Sequence, residues 1–114
     1  MKILYVEDDA QLQKAIGRFL RNFFKTTDIT IVDNANDAMF LLSTHAYALV
    51  VSDYDLAEGT NGGQVLEWLR ANDPAMLDRF VFLSANDAVK ELHPNVLSKP
   101  CTTEEMRETF HAFL

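Results

Sequence analysis

Polar side chains that can do chemistry follow several short apolar runs of this chain. In chain order these side chains are Glu7, Asp8 and Asp9, then Asp53, then Ser84, then Lys99. Carboxylates, a hydroxyl and an ammonium in one crevice could hold a hard divalent cation and a phosphoryl group. Each residue alone could be a turn residue or a helix cap, so only their joint placement indicates a site.

A cluster of the carboxylates of Glu7, Asp8 and Asp53 is unfavourable without a cation. Two like charges about 4 Å apart repel by roughly 4 kcal/mol at an effective dielectric of about 20. Oxygen ligands together with water and a phosphoryl oxygen favour Mg²⁺ over Ca²⁺, and Mn²⁺ could substitute. With the metal in place, an aspartate could attack phosphorus and form an acyl phosphate. Lys99 would neutralise further charge, and Ser84 would donate a hydrogen bond to a phosphoryl oxygen.

The elements that must position these residues follow from the apolar pattern. Short apolar runs predict five buried strands over residues 3–6, 29–32, 48–51, 80–83 and 95–98. Helical spacing predicts helices over 10–23, from Asn36 to about residue 45, from the flexible glycine-rich loop 58–63 to residue 72, and from Thr102 or Thr103 onward. Asp8 or Asp9 is the predicted N-cap of the first helix, and residues 87–92 are weakly helical.

The alternation of strands and helices predicts one α/β domain over residues 1–114. Its five strands would form a doubly wound parallel sheet with helices on both faces. Sites in such sheets form at the carboxyl ends of the strands, where the strand order reverses. Because the polar residues above all follow a strand, we expect them to share this edge of the sheet.

Composition excludes several classes of function. The chain carries 17 acidic and 10 basic side chains, a net charge of −7, which disfavours direct binding of nucleic acid. No apolar run is long enough to span a membrane, and the first residues do not resemble a secretory leader. The single cysteine cannot form an internal disulfide. We therefore expect a cytoplasmic protein without a membrane partner, present as a monomer or weak dimer.

Four segments of the chain resemble the receiver domains of bacterial two-component response regulators. The segments are ILYVEDD (3–9), ALVVSDYDL (48–56), FVFLSAND (80–87) and LSKP (97–100), and the similarity covers almost the whole chain. The resemblance implies the flavodoxin-like strand order 2-1-3-4-5. It also makes the peptide bond between Lys99 and Pro100 a candidate for cis geometry.

The resemblance implies a role for each residue that matches the family's motifs. Asp53 corresponds to the phosphorylated aspartate, which is also a metal ligand. Glu7 and Asp8 correspond to the family's metal-binding acidic pair. Asp55 lies where the family contributes a backbone carbonyl to the metal.

The resemblance also implies a signalling function. A sensor histidine kinase or a histidine phosphotransfer protein would pass a phosphoryl group to Asp53 in the presence of Mg²⁺. The hydroxyl of Ser84 and the loop that follows it would then move, while Lys99 corresponds to the lysine of the family's site. The domain would signal to an unknown downstream effector. It would catalyse only its own phosphorylation and dephosphorylation, so it would not be a turnover enzyme.

Three features depart from the family pattern. Val96 stands where receivers usually carry an aromatic switch residue, and the loop after Asp53 lacks the usual proline. Only 15 positions separate Ser84 from Lys99, which predicts a shortened fourth helix. We therefore expect the signal to leave by another surface, such as the first or the last helix.

Two other functions remain open at this stage. The motif Asp53-Tyr54-Asp55 resembles the nucleophile motif of phosphatases of the haloacid dehalogenase type, which also use Mg²⁺. In that family the motif lies on the first strand, and 114 residues would be short. The second alternative is a pseudo-receiver that only docks with protein partners. The unusual fourth-helix region favours it, whereas the complete set of acidic residues opposes it.

Overall fold

The computed structural model describes residues 1–114 and contains a five-stranded parallel sheet in the order β2-β1-β3-β4-β5. The strands are β1 (Ile3–Val6), β2 (Ile29–Val32), β3 (Leu49–Asp53), β4 (Phe80–Ser84) and β5 (Val96–Ser98). The helices are α1 (Ala10–Phe24), α2 (Ala35–Thr44), α3 (Gly62–Asn72) and α4 (Thr103–His111). The predicted doubly wound sheet and its strand order are confirmed. None of the helices is long and apolar enough to cross a membrane.

Alternate residues of each strand face two separate hydrophobic cores. In β1, Leu4 and Val6 pack on the side of α2 and α3, whereas Ile3 and Tyr5 pack on the side of α1 and α4. Successive side chains of a strand point to opposite faces, so a sheet covered on both sides needs apolar residues at every position. This explains why the strands are continuous apolar runs that end abruptly in polar residues.

Two of the predicted helix caps are confirmed and one is wrong. The carboxylate of Asp9 caps α1 and accepts hydrogen bonds from two backbone amides of the first turn. Thr102 and Glu105 form a capping box at the start of α4. The predicted cap at Asn36 is wrong, because Asn34 has the extended backbone of a cap and its side chain accepts from the amide of Asp37 at 2.9 Å. Asn36 lies inside the first turn.

The connection between β3 and α3 is more ordered than its glycine content suggests. The predicted flexible loop 58–63 contains the end of a 3₁₀ turn (Ala57–Gly59) and the first residues of α3. The hydroxyl of Thr60 accepts a hydrogen bond from the amide of Ala35 at 2.9 Å, which ties this connection to the start of α2. This long-range contact, which local composition does not reveal, holds the loop beside the start of α2.

The crossover between β4 and β5 contains no α-helix. A 3₁₀ segment (Asp87–Glu91) takes its place. This confirms the predicted shortening of the helix between the fourth and fifth strands, which is a different element from α4. The buried imidazole of His93 shares a 2.8 Å hydrogen bond with the carbonyl of Phe80 and anchors the returning chain to the sheet. Leu92, just before it, remains 42% exposed. The surface beside β5 therefore differs from one covered by a full helix.

Gly62 allows α3 to begin directly against the end of β3. A Cβ at this position would lie 2.5 Å from the backbone oxygen of Asp53 and 2.8 Å from a ring carbon of Phe82. The amide of Gly62 also donates to the carbonyl of Tyr54 at 2.7 Å. A larger residue would push α3 away from the strand end that carries Asp53.

We expect Gly62→Ala to lower the free energy of unfolding by about 1–3 kcal/mol, because the added methyl group overpacks a contact with backbone. Gly17→Ala in α1 is the matched control. Its Cβ would lie 3.4 Å from a methyl group of Ile31, and alanine favours the helix by up to about 1 kcal/mol. Urea unfolding of both variants measures the effect. Equal stability of the two variants would contradict this account of Gly62.

Candidate functional site

The register of the sheet places Glu7 and Asp53 side by side. Tyr5 pairs with Val51 and Val6 pairs with Ser52, so the next residues along the two strands are Glu7 and Asp53. Both continue the row of side chains that faces α1 and α4. The site is therefore the continuation of a buried row, in which apolar residues give way to carboxylates.

Three carboxylates converge at this edge. Single carboxylate oxygens of Glu7, Asp8 and Asp53 all lie within 4.8 Å of one another. Glu7 and Asp53 are buried, whereas Asp8 is exposed at the rim. This set of hard oxygen donors, open to solvent on one side, fits a hard divalent ion such as Mg²⁺ that keeps some of its water.

Glu7 is the most enclosed of these acids, with 0% of its surface exposed. Its Oε1 accepts a hydrogen bond from the hydroxyl of Tyr5 at 3.2 Å, and its Oε2 accepts one from the amide of Asp9 at 3.3 Å. Burial and the neighbouring carboxylate of Asp53 raise the pKa of Glu7 to about 7, although Lys99 acts in the opposite direction. The metal-free pocket therefore tends to retain a proton at neutral pH.

The ammonium of Lys99 lies between the two buried carboxylates. Its Nζ is 2.9 Å from Oδ2 of Asp53 and 3.5 Å from Oε1 of Glu7. Burial lowers the pKa of Lys99, but the hydrogen bond and charge of Asp53 and the charge of Glu7 outweigh it and raise the pKa overall. Lys99 therefore stays protonated. Lys99 is paired with two of the three carboxyl groups in the cluster, so a metal ion could neutralise further negative charge there.

The backbone at the end of β5 directs Lys99 into the site. The amide of Lys99 donates to the carbonyl of Ser84 at 2.9 Å, and this bond extends the pairing of β4 with β5. The peptide bond between Lys99 and Pro100 is cis, as the resemblance implied.

Two of the predicted site residues lie outside the carboxylate cluster. Ser84 is buried at the end of β4, and its hydroxyl accepts from the amide of Asn86 at 3.0 Å and lies 3.4 Å from the carbonyl of the same residue. The hydroxyl is therefore engaged with the loop that follows it. Asp55 is exposed and pairs with Asn61 in an isolated antiparallel bridge.

Sequence reasoning missed two residues that hold Glu7 in place. Tyr5 contacts its side chain, and Nε2 of Gln13 donates to its backbone carbonyl at 2.6 Å. Tyr5 could have been found, because it precedes Glu7 by two positions and so lies on the same face of the strand. Gln13 could not, because its contact depends on how α1 packs against β1.

Glu7 should make the stability of the metal-free protein depend on pH. Its pKa is higher in the folded chain than in the unfolded chain, so its contribution to stability is full at acidic pH and is lost as the pH rises through 7. Between about pH 5 and about pH 8, we expect wild type to lose about 1–3 kcal/mol relative to Glu7→Gln, which has no proton to release.

Urea unfolding of wild type and Glu7→Gln, in buffer containing a chelator, measures this difference at each pH. Because the two proteins differ only at residue 7, contributions from the rest of the chain cancel in the comparison. Identical pH profiles of the two proteins would contradict a raised pKa for Glu7.

A family model identifies the class of protein to which this geometry belongs. The model for the response regulator receiver domain matches residues 3–111. No curated protein matches the chain by sequence.

Solved receiver structures share the fold. A receiver domain of a sensor histidine kinase from Pseudomonas aeruginosa PAO1, with magnesium coordinated in its active-site cleft, has a TM-score of 0.82 and 23% identity, covering 98% of this chain and 96% of that one. The signal receiver domain of a histidine kinase from Syntrophus aciditrophicus has a TM-score of 0.83 and 22% identity, and the match covers 99% of this chain and 89% of that one. The chemotaxis response regulator CheY4 of Vibrio cholerae has a TM-score of 0.77 and 15% identity, and the match covers 99% of this chain and 98% of that one. Because these identities are below 25%, the structural similarity shows the fold alone. The family model matches nearly the whole chain and shows the family. The chain belongs to the response regulator receiver domain family.

Proposed function

We propose that this domain accepts a phosphoryl group on Asp53 from a phosphohistidine of a sensor histidine kinase or a histidine phosphotransfer protein. The carboxylates of Glu7, Asp8 and Asp53 and the backbone carbonyl of Asp55 would hold Mg²⁺. The observation that carries the proposal is the convergence of three carboxylates within 4.8 Å, with the ammonium of Lys99 at 2.9 Å from Asp53.

Asp53 is the best placed of the three acids to act as nucleophile. Both oxygens of Glu7 already accept hydrogen bonds, and its side chain has no solvent access. Asp8 is exposed and has no ion pair with Lys99. Asp53 ends the central strand, where Lys99 directly neutralises its charge.

The reaction transfers a phosphoryl group from the donor imidazole to the carboxylate of Asp53. An oxygen of Asp53 attacks the phosphorus as the bond from phosphorus to the donor imidazole breaks. A ring nitrogen of the donor takes a proton from solvent, so the group leaves as neutral imidazole. Lys99 balances charge on the phosphoryl oxygens, and Ser84 can donate a hydrogen bond once its hydroxyl turns away from Asn86. Bound Mg²⁺ supplies the remaining positive charge. Attack of water on the acyl phosphate then releases inorganic phosphate and restores the carboxylate.

This cycle makes the domain a switch rather than an enzyme that turns over a substrate. The phosphatase alternative predicts repeated hydrolysis of phosphate monoesters. The pseudo-receiver alternative predicts neither Mg²⁺ binding nor phosphorylation. Labelling by a phosphodonor, hydrolysis of a phosphate monoester and binding of Mg²⁺, measured on the same protein, therefore separate all three functions.

We expect incubation with a small acyl-phosphate donor and Mg²⁺ to label the protein to at most one phosphoryl group per chain. Asp53→Asn should abolish the labelling, because an amide oxygen cannot form the acyl phosphate. Asp28→Asn is the matched control, since Asp28 is an exposed aspartate that precedes β2 at the opposite edge of the sheet. Intact-protein mass spectrometry measures the label.

Three outcomes would count against the proposal. Labelling of Asp53→Asn at the wild-type level would show that another residue is the acceptor. Steady release of product from a phosphate monoester would favour the phosphatase. Absence of both Mg²⁺ binding and labelling in wild type would favour the pseudo-receiver.

We also propose that the signal leaves through α1 or α4. The 3₁₀ segment Asp87–Glu91 and the half-buried Val96 provide neither a full helix nor an aromatic side chain to report a movement of Ser84. With beryllofluoride as a phosphoryl mimic, we expect amide chemical shifts to change along α1 or α4. Changes confined to the 3₁₀ segment and β5 would contradict this route.

A further inference from the structure

Tyr5 joins the hydrophobic core directly to the candidate metal site. Its ring is fully buried on the side of the sheet that faces α1 and α4. Its hydroxyl lies 3.2 Å from Oε1 of Glu7 and 3.4 Å from the carbonyl of Leu12 in α1. The hydroxyl of a tyrosine in the apolar core thus contacts one carboxylate oxygen of the candidate site.

The hydroxyl of Tyr5 has one proton and two possible acceptors. Oε1 of Glu7 is the closer acceptor, and it is also charged in the deprotonated form that a metal ligand must take. Hydrogen bonds to charged acceptors are about twice as strong as neutral ones. Glu7 therefore receives the proton of Tyr5 at Oε1 and the backbone amide of Asp9 at Oε2. With a donor on each oxygen, the carboxylate cannot rotate without loss of a hydrogen bond.

We propose that Tyr5 is a positioning residue for Mg²⁺, acting through Glu7. This inference rests on the proposed function, because it assumes that Glu7 helps to hold the metal. Mg²⁺ requires near-ideal octahedral geometry, and a glutamate side chain must lose the freedom of several torsions to provide it. The ring of Tyr5, fixed in the core, restricts those torsions before the metal arrives.

This role differs from a general contribution to binding because it discriminates between metals. Ca²⁺ accepts irregular geometries and variable numbers of ligands, so it depends less on a fixed carboxylate. Removal of the Tyr5 hydroxyl should therefore weaken Mg²⁺ binding much more than Ca²⁺ binding. A loss of packing alone would weaken both metals equally.

The decisive experiment compares Tyr5→Phe with wild type. Phenylalanine keeps the ring in the core and removes only the hydroxyl, so the fold should persist, and urea unfolding in metal-free buffer checks this. Tyr47→Phe is the matched control: Tyr47 is a buried tyrosine that precedes β3 at the opposite edge of the sheet. Titrations with Mg²⁺ and Ca²⁺, followed by the amide signal of Asp53, give the dissociation constants.

We expect Tyr5→Phe to raise the Kd for Mg²⁺ by about 10- to 100-fold, as is typical for the loss of an outer hydrogen bond to a metal ligand. The Kd for Ca²⁺ should rise by less than about 3-fold, and Tyr47→Phe should change neither constant.

Each other outcome has a separate meaning. If wild type binds Mg²⁺ and Tyr5→Phe binds it equally well, the positioning role is wrong while the proposed function stands. If both metals weaken by the same factor, the positioning role is also wrong, because the hydroxyl then supports the site without selecting its geometry. If wild type binds no Mg²⁺, the proposed function fails and the inference fails with it.

Discussion

The structure depends on the burial of two carboxylates next to each other with one ammonium between them. Glu7 and Asp53 occupy neighbouring positions on adjacent strands, and Lys99 forms an ion pair with each. Desolvation and mutual repulsion disfavour this arrangement, and the raised pKa of Glu7 is the direct result. The arrangement therefore favours the binding of a further cation, such as a divalent metal ion.

The remainder of the fold keeps these groups from separating. Two cores clamp the sheet from both faces, and the strand register leaves Glu7 and Asp53 at the same height. The start of α3 packs against the backbone of Asp53 through Gly62, and the pairing of β5 with β4 brings Lys99 to the same edge. Strands hold the acids, while the hydroxyl of Ser84, the last residue of β4, hydrogen-bonds to the backbone of Asn86 in the segment that follows.

Much of this could be predicted because the signals are local. Continuous apolar runs marked the strands, and polar residues at their ends marked the edge of the sheet where a site forms. Two predictions from local composition were wrong. Asn34 rather than Asn36 caps α2, and the glycine-rich connection after β3 is held by Thr60 against the start of α2. The cap is local, since Asn34 contacts Asp33 and Asp37, whereas the connection is held by a contact between residues 25 positions apart in the sequence.

The sequence by itself determined which residue types end each strand, because apolar runs and the polar residues that interrupt them are properties of the chain alone. From these followed the fold class, the edge of the sheet that carries the site and the acids that could share it. Only the tertiary structure decided that Glu7 is fully enclosed while Asp8 is exposed, and that Tyr5 and Lys99 each contact Glu7. The reason is physical: burial and hydrogen bonding depend on strand register and helix packing, which arise from many weak contacts distributed over the whole molecule.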